Sequence, residues 1–181
     1  MRIIAGEWRR RPLVAPEGTG TRPTADRTRE TLFSMLASRL GSFEGLKAGD
    51  FFAGSGALGL EALSRGAATC LFVEQDPAAL RALRRNIASL QAQQTCDVRA
   101  TSVVALGPAR EALDLILMDP PYDTNAGAVA LDKLRRLGWL TPSTWITVET
   151  GRDDDLTVKG FVAEATRDVG RARLHLMRLQ D

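Results

Sequence analysis

Asp50-Phe-Phe-Ala-Gly-Ser-Gly-Ala-Leu-Gly59 is the stretch whose reading decides the fold. Two phenylalanines close a short apolar run, and Gly54, Gly56 and Gly59 then fall at G-x-G-x-x-G spacing before a helical segment, Ala57 to Arg65. The next apolar run, Leu71-Phe-Val-Glu74, ends in an acid twenty residues after Gly54. This is the order in which an α/β sheet builds a nucleotide-like site. The glycines let the backbone approach a ligand closely, and the carboxylate accepts hydrogen bonds from ribose hydroxyls.

Dinucleotide oxidoreductases and S-adenosylmethionine enzymes share this geometry, and a tight turn followed by a surface glutamate would look much the same. Asp50 separates the two ligand classes. A carboxylate four residues before Gly54 repels a pyrophosphate but attracts the ammonium of an amino acid, which favours adenosylmethionine.

Outward from this loop, apolar runs and helical segments alternate. Asp76-Pro77 has the form of an N-cap with proline at the first helical position, followed by Leu80, Leu83, Ile87 and Leu90 at helical spacing. Val98 to Thr101 reads as a weak strand and Leu115 to Met118 as a strong one. A helix is expected from about Ala126 to Leu137 and a strand over Trp145 to Glu149. Phe161 to Thr166 and Ala172 to Leu176 alternate around Asp168-Val-Gly170, the pattern of an antiparallel hairpin. Upstream, Thr24 fits an N-cap for a helix carrying Leu32, Leu36 and Leu40 and ending at Gly41. The expected architecture is α/β: a mostly parallel sheet covered on both faces, with a short basic hairpin or arm at residues 2–14.

Asp119-Pro-Pro-Tyr122 follows the strongest strand, where open α/β sheets place their ligand crevice. Two prolines fix the main chain and remove two donors, leaving carbonyl oxygens, a carboxylate and an aromatic face. Such a loop suits a planar group bearing an NH2, such as a nucleobase amine. Acceptance of its hydrogens by Asp119 and the Pro120 carbonyl returns electron density to the nitrogen, while Tyr122 stacks on the ring. Transfer from a sulfonium methyl then depends on alignment.

The 181 residues carry a net charge of +2, which excludes an overall polycation. The excess is local: residues 1–30 hold seven arginines and four acids, and the remainder is nearly balanced. Arg9, Arg10, Arg11, Arg22, Arg27 and Arg29, with Trp8 beside the first three, are candidate nucleic-acid phosphate contacts, the alternative being a solvated charge run. Cys70, Cys96 and the lone His175 have no metal-ligand spacing and read as structural. With neither a signal-peptide core nor a membrane-length apolar run, the expected location is the cytoplasm.

Asp50 to Gly56, Phe72-Val-Glu-Gln-Asp76 and Asp119 to Tyr122 look like the cofactor, ribose and catalytic motifs of Rossmann-like class I adenosylmethionine-dependent methyltransferases acting on amines. Met1-Arg-Ile-Ile-Ala-Gly-Glu-Trp-Arg-Arg-Arg11 and Thr21-Arg-Pro-Thr-Ala-Asp-Arg-Thr-Arg-Glu-Thr-Leu-Phe33 narrow this. Together they resemble the bacterial RsmD family, which methylates N2 of a guanine in small-subunit (16S) rRNA. The resemblance implies a seven-stranded sheet whose last hairpin is antiparallel. It further implies one methyltransferase domain over 1–181 (an arm and loop at 1–23, a core at 24–181), a monomer, and a substrate of rRNA in the assembling or assembled subunit. It assigns Asp50, Phe52, Ala53, Gly54, Ser55, Gly56, Glu74 and Gln75 to the cofactor, and Asp119, Pro120, Pro121 and Tyr122 to the guanine amine. The chain departs from the family at Ala100-Thr101-Ser102, where an acid near the adenine is usual and a hydroxyl of Thr101 or Ser102 would have to serve. The other substrate of the same chemistry would be an adenine amine in DNA or another RNA.

Overall fold

Cys70–Val73, Leu115–Met118 and Ile146–Val148 are buried throughout, which is why these strands read as short runs and not as alternating patterns. The computed structural model describes residues 1–18 and 23–181. In chain order its elements are α1 (Pro23–Leu40), β1 (Lys47–Phe51), α2 (Ala57–Ser64), β2 (Thr69–Glu74), α3 (Pro77–Ser89), β3 (Cys96–Ala100), β4 (Leu115–Met118), α4 (Ala126–Arg136), β5 (Trp145–Gly151), β6 (Phe161–Val169) and β7 (Ala172–Leu179). They form one seven-stranded sheet in the order β3-β2-β1-β4-β5-β7-β6. The first five strands are parallel, and β7 enters antiparallel between β5 and β6. The chain runs outward from β1 to β3 and then crosses to β4 on the other side. The strand order therefore reverses between β1 and β4, where such sheets open a crevice at their carboxyl ends.

Helices cover both faces. One core joins Leu32, Phe33 and Leu36 of α1, Leu60 and Leu63 of α2, and Leu80, Leu83 and Ile87 of α3 to the sheet. The other packs Ala130, Leu131 and Leu134 of α4 with Trp139 against Ile116, Met118, Ile146 and Val148. Among the described residues no helix is long and apolar enough to cross a membrane.

The N-terminal hairpin is a docked element and not a free arm. Its two sides pair through Arg2 and Pro12, and Ile3 and Leu13 lie in the first core. Its turn is held by α2. Glu61, with 0% exposure, accepts from the backbone N–H of Ile4 (2.9 Å) and Ala5 (3.1 Å) and from the Arg65 guanidinium. Arg65 in turn lies over the Phe33 ring, 4.8 Å from its centre, so one buried carboxylate joins hairpin, α2 and α1. Asn86 of α3 clasps the far end, accepting from Val14 N–H and donating to both Val14 and Ser55 carbonyls.

Several boundaries differ from expectation. β1 begins at Lys47, three residues before Asp50, because Ala48 and Gly49 are short enough to pair within the sheet without an apolar signature. α1 starts at Pro23, so Thr24 lies inside it and is not its cap. The C-terminal hairpin is longer on both sides and turns at Gly170, whose φ is +56°.

Replacing Glu61 by Ala leaves a nearly buried guanidinium and two backbone donors without their acceptor. A loss of about 3–5 kcal/mol is expected in urea unfolding, with faster amide exchange at Ile4 and Ala5. A loss below ~1 kcal/mol would show that the hairpin does not depend on this carboxylate.

Candidate active site

The glycine loop is built by left-handed backbone. Phe52, Gly54 and Gly56 have φ of 62°, 57° and 82°, and for a bulky aromatic residue that conformation is a strained one. The three glycines do different work. A Cβ on Gly56 would lie 2.3 Å from Leu83, and one on Gly59 would lie 2.4 Å from Phe72, so both are required for the loop and α2 to pack on β2 and α3. A Cβ on Gly54 would meet nothing within 4 Å, so that backbone alone borders open space.

Asp50 lies beneath this loop with 1% exposure. Its Oδ2 accepts from Gly59 N–H at 2.9 Å, while Oδ1 is buried without a partner. Burial raises its pKa well above the usual carboxylate range; the Gly59 N–H opposes the rise, and the Asp119 and Glu74 carboxylates add to it. Ala53 and Ser55 are buried, and the Ser55 carbonyl is the one held by Asn86. At the end of β2, Glu74 accepts from Gly54 N–H (3.2 Å) and Gln75 N–H (2.9 Å), which closes the loop onto the neighbouring strand. Gln75 is exposed beside it. Thr101 and Ser102 follow β3 half-buried, with Thr101 N–H bonded to the Glu74 carbonyl.

The Asp119 loop leaves β4 next to this site, since Met118 is in register with Phe51 of β1 and with Val148 of β5. It is held at several points. Thr124 Oγ1 donates to the Pro121 carbonyl at 2.8 Å, and Asp154 accepts from both Asp123 N–H and Gly151 N–H. Tyr122 is 41% exposed, and its hydroxyl donates to Glu149 Oε1 at 2.5 Å. Beside the loop is a hollow of about 510 Å³ lined by Pro120, Pro121, Asn125, Glu149, Thr150 and Asp154.

Glu149 is the site residue that sequence reasoning missed. It ends the run Ile146-Thr-Val-Glu149, and the available signal was an acid closing an apolar strand. Only the adjacency of β5 to β4 shows that it stands beside Asp119. Desolvation by the surrounding protein, with Glu149 as a nearby like charge, raises the Asp119 pKa, and water on its exposed side limits the rise. Glu149 is raised by burial and held back by the Tyr122 hydroxyl. Burial and the Glu149 hydrogen bond in turn raise Tyr122, so the phenol stays protonated.

The arginines divide. Arg9, Arg10, Arg11 and Arg27 are exposed, and Arg11 also donates to the Ser89 carbonyl at 2.7 Å. Arg29 corrects its expected role: at 4% exposure its guanidinium is committed to Asp26 and the Arg2 carbonyl, which removes it from the set able to reach a phosphate. Arg22 lies outside the described residues. Trp8 packs against the first core instead of standing free to stack. His175 is buried against Thr150, a structural role as expected.

The chain is 39% identical over 156 residues to ribosomal RNA small subunit methyltransferase D of Escherichia coli K12, which covers 86% of this chain and 77% of that protein. It is 38% identical over 160 residues to the protein of the same name from Haemophilus influenzae, covering 86% and 81%. The solved structure of yhhF from Escherichia coli superposes with a TM-score of 0.85 at 34% identity, covering 99% of this chain and 98% of that one. A family model described as conserved hypothetical protein 95 matches residues 1–178. With the fold, the glycine loop and the Asp119 loop in their expected places, the chain belongs to that family, the RsmD family of methyltransferases.

Proposed function

We propose that this protein transfers the methyl group of S-adenosylmethionine to the exocyclic N2 amine of a guanine in 16S rRNA of the small ribosomal subunit, acting as a cytoplasmic monomer. The observation that carries the reading is the acceptor-rich loop Asp119 to Tyr122. It stands at the carboxyl edge of β4, beside the glycine loop of β1 and across from Glu149 of β5.

The residues present fit the cofactor. Asp50 Oδ1 is an orphaned buried acceptor of the kind an ammonium satisfies, and Gly54 borders open space. In this reading Asp50 and Phe52 to Gly56 hold the methionine portion, Glu74 and Gln75 the ribose, and Thr101 or Ser102 the adenine side. When bound, adenosylmethionine supplies a methyl carbon already activated by its positive sulfur.

The protein's share is to present the amine. Asp119 and the Pro120 carbonyl accept its hydrogens, and the prolines offer no N–H at 120 or 121. Tyr122 presents its ring while its hydroxyl is occupied by Glu149. A site with two carboxylates and few donors favours guanine, whose N1–H and N2 amine are adjacent donors; adenine would set its N1 acceptor there instead. Methylation forms one N–C bond, breaks the donor's S–C bond with the electron pair left on the neutral thioether sulfur, and releases one N–H proton. Asp119, made more basic by its surroundings, receives that proton. Arg9, Arg10, Arg11 and Arg27 would contact phosphates of the same RNA.

Incubating small-subunit particles from a strain lacking the enzyme with labelled methyl donor should place label on N2 of one guanine; label on an adenine would overturn the reading. Asp119→Ala should lower the rate by about 100-fold or more. Tyr122→Phe removes the hydrogen bond that holds Glu149 down, so the Glu149 carboxyl should titrate at higher pH in carbon-detected NMR; an unchanged titration would refute the pairing. A carboxyl whose folded pKa is raised binds its proton more tightly in the fold, so its contribution to stability falls as pH rises above the ordinary carboxylate value of ~4. Asp119→Asn removes that contribution. The variant should be inactive, with a smaller stability loss than wild type between pH 5 and pH 8 in urea unfolding.

A further inference from the structure

We infer that the outer face of α3, carrying Arg81, Arg84 and Arg85, binds phosphates of the RNA backbone and extends the hairpin's Arg11 into one continuous contact surface. The inference rests on the RNA reading above and adds a partner surface outside the catalytic crevice.

All three side chains are exposed, and their spacing places them on one side of the helix, opposite Leu80, Leu83 and Ile87. No acid occurs anywhere in α3, and none of the three makes an ion pair among the described residues. Several exposed arginines on other elements do meet an acid. On α4, Asp132 takes Arg135 at 2.9 Å and Arg136 at 2.8 Å, and on the C-terminal hairpin Asp168 takes Arg173 at 2.7 Å. The helix itself does not call for these charges. Three cations at neighbouring positions on one helix face repel one another.

The hairpin joins this face at a defined point. Arg11 donates to the carbonyl of Ser89, which follows Arg81 and Arg85 at steps of four along the same row. Four residues advance a helix by about 6 Å, so Arg81, Arg85 and the Arg11 anchor are spaced like successive phosphates of a nucleic-acid strand. The Asn86 clasp on Val14 fixes the hairpin against the helix, so the row is preformed. At its other end α3 begins at the Asp76 cap, two residues beyond Glu74, so the row leads toward the cofactor edge. The hollow between hairpin and α1, about 500 Å³, is less suited to phosphate, because Asp26 and Glu30 line it with Arg9 and Arg10.

The test replaces Arg81, Arg84 and Arg85 together by Gln and measures anisotropy of a labelled 16S rRNA fragment that the wild-type protein methylates. Over about 50 to 200 mM salt, the slope of log affinity against log salt should become shallower by about 2, with affinity about tenfold weaker. Thermal midpoint and calorimetric binding of adenosylmethionine should be unchanged, and the triple Lys variant should retain most of the slope. Wild-type affinity and slope in the Gln variant would overturn the inference while leaving the methyltransfer reading intact. Failure of the wild-type protein to bind or methylate any rRNA fragment would overturn both. Loss of sedimentation with phosphatidylglycerol vesicles, with RNA affinity unchanged, would reassign the face to a membrane.

Discussion

The Asp50 carboxylate is the constraint from which the working edge of the sheet follows. A buried carboxylate is costly unless its oxygens are satisfied, and here only Oδ2 is, by the Gly59 N–H. That single bond ties the central strand to the first turn of α2. It needs the chain to return within nine residues, which it does through left-handed backbone at Phe52, Gly54 and Gly56 and side-chain-free packing at Gly56 and Gly59. α2, once fixed, carries Glu61, whose carboxylate receives the hairpin backbone. The Ser55 carbonyl receives Asn86, which also holds Val14. Cofactor loop and hairpin therefore hang on the same short helix and its neighbour α3, so the segment proposed to meet RNA cannot shift independently of the segment proposed to hold the methyl donor.

The same unbalanced electrostatics recur one strand away. Burial raises both Asp119 and Glu149, Glu149 adds to the rise of Asp119 as a like charge, and the Tyr122 hydroxyl relieves only Glu149. A fold selected for stability alone would place an arginine there, and this protein has twenty-one to draw on. Leaving the acceptors unpaired keeps them available to donors on a base. The prolines, the Thr124 bond and the Asp154 clasp hold those acceptors in place beforehand, so little reorganisation is needed when a base arrives.

What could be read from the sequence was what is local. The glycine loop, the acid ending β2 and the Asp119 loop are short segments whose meaning lies in backbone geometry a few residues long, and the structure places all three along one edge. The mostly parallel sheet followed from the alternation of elements, and the antiparallel end from the period-two pattern of the tail. Glu149, Glu61 and Asn86 were not legible, because each acts on a partner far along the chain: Asn86 on Val14, Glu61 on Ile4, and Glu149 on Tyr122. No local pattern encodes that β5 lies beside β4. The start of β1 was missed for a different reason, since Ala48 and Gly49 are too small to mark a strand by hydrophobicity.

Charge shows the limit most clearly. Counting arginines along the first thirty residues treats Arg29 and Arg9 as equals, yet one is a buried strut and the other is in water. The count also passes over α3, because Arg81, Arg84 and Arg85 sit in a chain segment whose wider neighbourhood is nearly neutral. The physically relevant quantity is the charge left over after each cation has met its nearest acid in three dimensions. By that measure the α4 arginines share one carboxylate, Arg173 shares another with Arg152, and the α3 row has none. The row adjoins the hairpin only because Asn86 and Ser89 bring the two together. A basic surface assembled from two segments some seventy residues apart is a property of the fold, and it lies on the hairpin side of the cofactor loop, where a substrate reaching the Asp119 edge could be held.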